Sequence, residues 1–97
     1  MRVISRKPLR EHWERRPDSE KELAAWFREA KRAQWRLPAD VKEKYGNASI
    51  LRNNRVVFNI CGNKYRLIVW INYPVGIIYV RFVGTHGEYD RVNAETI

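Results

Sequence analysis

The stretch 55-RVVFNICGNKYRLIVWINYPVGIIYVRFVGT-85 decides the fold, because its apolar residues recur with period two between short turn-forming breaks. "RVVFNI", "KYRLIVWINY" and "GIIYVRFVGT" read as three strands, separated by "CGN" and by a turn at Pro74. Upstream, "ASILR" is joined to "RVVFNI" through Asn53-Asn54, a two-residue connection suited to a hairpin because Asn tolerates the positive φ that such turns demand. The result is an antiparallel meander after Gly46.

Before Gly46 the period changes. "MRVI" is a short strand, and Ser5 is placed to cap a helix running through Leu9 and Trp13 to about Arg16, with Pro8 in its first turn and Pro17 ending it. Ser19 and Glu22 have the spacing of a capping box. Leu23, Trp26, Phe27 and Ala30 then mark one apolar face of a second helix to about Trp35. "LPADVKEKYG" is a short third helix opened by Pro38 and stopped by Gly46. Helices first and sheet second predict an α+β fold with the N-terminal helices packed on a small, mainly antiparallel sheet, formed as one domain over residues 1–97.

Nineteen Lys and Arg against eleven Asp and Glu give a net charge of +8, which points to a polyanionic partner such as nucleic acid, a ribosome or an acidic protein. The excess is spread over both halves, without a basic tail. Arg28, Arg32 and Arg36 fall four apart and form a basic stripe on the second helix, readable as a solvated face or as a partner-binding strip. Cys61 is the single cysteine, and the only histidines are His12 and His86, so no disulfide and no transition-metal site is expected. With no signal-peptide pattern and no run of twenty apolar residues, the expected setting is the cytoplasm, with no membrane contact.

Alternation assigns the faces. Tyr65, Leu67, Val69 and Ile71 share one side of their strand and Arg66, Ile68 and Trp70 the other; in the next strand Ile78, Val80 and Phe82 oppose Tyr79, Arg81 and Val83. The apolar sets should face the helices. Arg66 and Arg81 are then left on the open face with Asn59, where two like charges repel unless an anion lies between them. The plain alternative is that Glu88 or Asp90 neutralises them.

The set Phe58-Asn59, Gly62-Asn63, Arg66, Arg81 and "THGEYD" at 85–90, preceded by two helices, resembles the HigB-type toxins within the RelE group of ribosome-dependent messenger RNA endonucleases. The resemblance covers nearly the whole chain. It implies an RNase that needs no metal or other cofactor, acting on messenger RNA at the ribosome. It also implies a helix-turn-helix antitoxin of HigA type as cognate partner, through which alone the toxin would meet operator DNA.

Metal-free RNA cleavage uses the neighbouring 2′-hydroxyl as nucleophile. The protein must help remove its proton, stabilise the pentavalent phosphate and protonate the departing 5′ oxygen. Arg66 and Arg81 suit the phosphate, since a guanidinium donates paired hydrogen bonds and keeps its charge. Lys64, on the face of Arg66 by the two-residue rule, adds a third cation. His86 is favoured as the acid; Glu88 is a base candidate by type only. Asn59, Trp70, Tyr79 and Tyr89 are the candidate RNA contacts. Competing structural readings have Thr85 and Asp90 capping a terminal helix, Tyr89 packing on the core, His86 bonding backbone and His12 buried for structure. Two other functional classes share these features: a non-catalytic basic RNA binder, using Trp70 and Tyr79 for base stacking, and a gyrase-poisoning toxin on the same fold. The antitoxin is expected to grip the Arg28, Arg32 and Arg36 stripe.

Overall fold

The computed structural model describes all 97 residues. In chain order the elements are β1 (Arg2–Ile4), α1 (Lys7–Arg15), a 3-10 turn (Pro17–Ser19), α2 (Glu20–Arg32), α3 (Pro38–Lys44), β2 (Ser49–Ile50), β3 (Arg55–Ile60), β4 (Tyr65–Asn72), β5 (Ile77–Thr85) and α4 (His86–Tyr89). The strands form one sheet in the order β1-β5-β4-β3-β2, antiparallel except for the parallel pairing of β1 with β5. This is the expected α+β architecture. No helix is long and apolar enough to cross a membrane.

The turns follow from local chemistry. Asn53 and Asn54 both take φ of 58°, as a right-twisted two-residue hairpin requires. Cys61 (φ 54°) and Gly62 (φ 66°) make the next turn, closed by Lys64 N–H donating to Cys61 O. Two helix starts differ from the sequence reading. Arg6, not Ser5, precedes α1 and makes no side-chain cap. The Ser19–Glu22 box does not form: Ser19 Oγ donates to Arg16 O and meets His12 Nδ1 at 2.9 Å, while Glu22 accepts from the distant Cys61 N–H at 2.7 Å. Long-range partners have taken both side chains away from local capping. α2 also stops at Arg32, after which extended Ala33 turns Trp35 into the core, so Arg36 leaves the helix and the basic stripe keeps only Arg28 and Arg32.

One layer of apolar side chains joins the helices to the sheet. Leu9, Leu23, Trp26 and Ala30 meet Phe58, Leu67, Val69, Ile71 and Ile78, all at most 1% exposed. Phe58 lies among the rings of Trp26, Trp35 and Tyr45, with centroids 5.4, 6.3 and 5.1 Å away.

Strict alternation fails at one point in β5. Val69 pairs with Val80 but Ile68 pairs with Phe82, leaving Arg81 as an extra residue opposite a register shift. The bulge inverts the parity beyond it. Phe82 therefore joins the face carrying Arg66, and Val83 turns to the core, the reverse of the sequence expectation. Gly84 is the cross-strand partner of Arg66, and a Cβ there would come within 2.7 Å of Phe82 Cζ and 2.8 Å of Glu88 Oε1. Only glycine leaves room for both side chains.

The face away from the helices is also less open than alternation suggests. Val57 and Ile68, cross-strand partners on that face, are 2% and 0% exposed although they lie outside the main core. The segment after α4 returns from the end of β5 to the β2–β3 hairpin, where Asn53 Nδ2 donates to Glu95 O and Arg55 donates twice to Ile97 O, at 3.1 and 2.7 Å.

Candidate functional site

The uncovered part of this sheet face divides into two groups of side chains. Arg66 and Trp70 are four residues apart on β4, roughly 13 Å at the rise of an extended chain. Arg66 contacts the β3–β4 turn and the Tyr89 ring, whereas Arg81 contacts the rings of Trp70 and Tyr79, so the two guanidinium groups have separate neighbours.

At the turn end, Arg66 Nη1 donates to Asn63 O at 3.1 Å and Tyr65 O at 3.4 Å, and Nη2 approaches Asn63 Oδ1 at 3.4 Å. Its guanidinium carbon lies 5.7 Å from the centroid of the Tyr89 ring. No carboxylate pairs with either Arg66 or Arg81. The two acids suspected of neutralising them are engaged elsewhere. Glu88 Oε1 accepts from Thr85 N–H at 2.8 Å while Thr85 Oγ1 accepts from Glu88 N–H at 3.1 Å, a capping box that starts α4. Asp90 Oδ2 is 3.3 Å from His86 Nδ1. Arg66 is thus oriented by neutral acceptors and an aromatic face. These fix its direction and leave its charge uncancelled, as an anion site requires.

His86 is the exposed first residue of α4, its N–H donating to Lys64 O at 3.1 Å and its Nδ1 directed to Asp90. Nε2 makes no intramolecular hydrogen bond. Tyr89 does not pack on the core; it lies half-buried against Arg66 on the sheet face. Glu88 is engaged in the cap of α4 through Oε1. Its hydrogen bonds from Thr85 hold its pKa below the usual carboxylate range, against a smaller opposing effect of desolvation.

Lys64 departs from its expected place. It sits in the turn, not on the strand, and its ammonium pairs with Asp18, so it turns toward the helices and away from Arg66. Asp18 also accepts from Tyr65 Oη at 2.7 Å. The bond from Lys64, then that from Tyr65, lowers the Asp18 pKa, and the same Asp18 contact raises that of Lys64. Two-residue alternation does not extend through a turn with left-handed residues.

At the other end, the Trp70 and Tyr79 rings stack with centroids 4.8 Å apart and planes 20° apart. The Arg81 guanidinium covers both, 5.5 Å from the Trp70 ring and 5.6 Å from the Tyr79 ring, and Arg55 lies 5.9 Å from Trp70. This is a half-buried aromatic platform edged by two cations, the arrangement on which single-stranded bases stack. Asn59, the cross-strand partner of Arg66, lies on the same face and its side chain makes no intramolecular hydrogen bond.

Sequence reasoning missed Phe82, hidden by the bulge, and Asp18, whose partners Lys64 and Tyr65 are 46 and 47 residues away. His12 is structural, as read: 2% exposed, bonded through Nδ1 to Ser19, and edge-on to Tyr65 at 4.8 Å. Since Ser19 Oγ gives its proton to Arg16 O, the His12 Nδ1 must be the donor. Burial, then Arg15, lowers its pKa.

Residues 19–92 match a family model described as HigB_toxin, the RelE-like toxic component of a toxin-antitoxin system. Among curated proteins, the mRNA interferase HigB of Escherichia coli O6:H1 is 27% identical over 94 residues, covering 95% of this chain and 91% of that protein. The mRNA interferase toxin HigB of Escherichia coli K12 is 27% identical over 96 residues, covering 97% of this chain and 92% of its own length, and the mRNA interferase HigB of Shigella flexneri matches to the same extent.

Proposed function

The chain belongs to the HigB family, RelE-like toxic components of toxin-antitoxin systems, and from that premise we propose that it arrests growth by cleaving messenger RNA on the ribosome. One observation carries the reading. Arg66 is held on the sheet face by carbonyl oxygens and the Tyr89 ring, with no carboxylate to cancel its charge.

In this reading the scissile phosphate lies against Arg66, whose guanidinium stabilises the charge gained when the 2′-oxygen attacks phosphorus. His86, with Nδ1 occupied by Asp90, uses its free Nε2 to protonate the departing 5′ oxygen. Tyr89 orders the guanidinium and contacts the RNA. Neighbouring bases stack on Trp70 and Tyr79, while Arg81 grips the backbone beside them and Asn59 offers its amide to the strand. Lys64, paired with Asp18, is not assigned to the phosphate. With Glu88 committed to its cap, no side chain stands out as base, which supports a reaction in which the ribosome orders the RNA and supplies part of the orientation.

The test is incubation with ribosomes and a message, followed by mapping of new 5′ ends. Cleavage within the translated message is expected, and RNA without ribosomes should be cut poorly. A message bound but left intact would favour a non-catalytic RNA binder, and growth arrest with gyrase damage and intact RNA would favour a gyrase poison. His12 is buried against Ser19 and no group of three or more His, Cys, Asp or Glu is placed to hold a metal ion, so cleavage is expected to survive chelators. Loss of activity on chelation, with ribosome integrity controlled, would refute a metal-free mechanism.

A family toxin has an antitoxin partner, which we take to be a helix-turn-helix protein of HigA type that also carries the toxin to operator DNA. The exposed Arg28 and Arg32 on α2, with Arg36 just beyond it, offer an acidic partner a steered docking surface away from the sheet face. Replacing Arg28 and Arg32 by Glu should weaken antitoxin binding in calorimetry far more than Arg66→Ala does. Equal affinities would move the interface to the sheet face.

A further inference from the structure

The β3–β4 turn has two sides. Toward the sheet face it supplies Asn63 O and Oδ1 to Arg66, and Lys64 O to the His86 N–H. Toward the helices it is gripped by two carboxylates from the start of α2 and the 3-10 turn before it. Glu22 Oε2 accepts from Cys61 N–H at 2.7 Å. Asp18 accepts from Tyr65 Oη through one oxygen and from the Lys64 ammonium through the other. Both oxygens of Asp18 are therefore used on residues that flank the backbone holding Arg66 and His86.

The turn is closed on itself by the Lys64 N–H to Cys61 O bond, and Asp18 and Glu22 tie it to the helix layer. Its contacts to the helix layer determine where Asn63 O and Lys64 O stand. We propose that Asp18, assisted by Glu22, is a positioning residue: it clamps the Cys61–Lys64 turn so that Arg66 and His86 are presented together to the phosphate. The inference rests on the proposed RNA cleavage for its kinetic consequence but not for its structural one.

The clamp and simple electrostatics predict opposite results. Asp18 is a negative charge near a site for an anion, and its removal frees Lys64, so on charge alone Asp18→Asn would tighten RNA binding and help cleavage. A clamp predicts that Asp18→Asn lowers kcat by roughly tenfold to a hundredfold, the effect of a small misplacement of reacting groups, with KM unchanged or lower. In an Arg66→Ala background the same substitution should cost clearly less than in the wild type, because only His86 is left for the turn to position, and less than about twofold when His86 is replaced as well.

A readout independent of cleavage is the nitrogen-15 relaxation of the Arg66 side chain in the free protein. It should be ordered in the wild type and mobile in Asp18→Asn, while the β3 and β4 backbone amides keep their order. Tyr65→Phe removes one tether without changing charge and should give a smaller loss of the same kind. That second variant serves if Asp18→Asn fails to fold. Full activity with unchanged Arg66 order, or losses that simply multiply with Arg66→Ala, would overturn the clamp. A wild-type protein that cuts no RNA would instead defeat the proposed function, leaving the relaxation measurement to decide the clamp alone.

Discussion

Arg66→Ala is expected to lower the rate of RNA cleavage by roughly a hundredfold to a thousandfold, the usual cost of losing one preorganised donor to a developing charge, and to abolish growth inhibition. The fold should be retained. The side chain lies on the sheet face rather than in the core, and its bonds go to Asn63 and Tyr65 carbonyls at the edge of a turn. Cleavage assays at equal concentration, with circular dichroism on the same preparation, check both halves. Undiminished toxicity, or a variant that is unfolded, would remove Arg66 from the chemistry. Arg81→Ala should differ in kind. Its guanidinium rests on the Trp70–Tyr79 platform, so its loss should raise KM more than it lowers kcat. Equal kcat losses for the two variants would mean that the RNA draws both arginines to one phosphate.

Phe58→Ala is expected to destabilise the protein by about 3–5 kcal/mol. Phe58 is 1% exposed and stands between the helix ring Trp26 and the rings Trp35 and Tyr45 at the far edge of the sheet. Removing it leaves a cavity that three rigid aromatic side chains cannot fill, and strands the β3 contact between the two layers. Against a typical total of about 5–15 kcal/mol this is a large fraction of the stability. Urea unfolding measures it directly. A loss below about 1 kcal/mol would show that the aromatic group collapses around the gap, and that the layers are held chiefly by Leu67, Val69 and Ile71.

The sequence alone determined the order of elements and the main sheet. Period-two runs between Asn53-Asn54, Cys61-Gly62 and Pro74 fall where the hairpins form, because turn chemistry and alternation are local properties that no distant contact has to supply. It also placed Arg66, Trp70 and Tyr79 on the face away from the helices, since each is separated from its core neighbours by one residue on a regular strand. What alternation could not carry was anything past the bulge at Arg81, where one unpaired residue sends Phe82 outward and Val83 inward. Nor could it place a side chain whose partner is remote. Lys64 goes to Asp18, Glu22 to the Cys61 N–H rather than to its own helix cap, and Arg55 to Ile97 O, each by a bond spanning about forty residues of chain. The choice between a local cap and such a partner is made only when packing brings the two together. That Arg66 is left without a carboxylate has a local cause instead, because Glu88 and Asp90 are engaged by the backbone and the histidine of their own turn, within three or four residues.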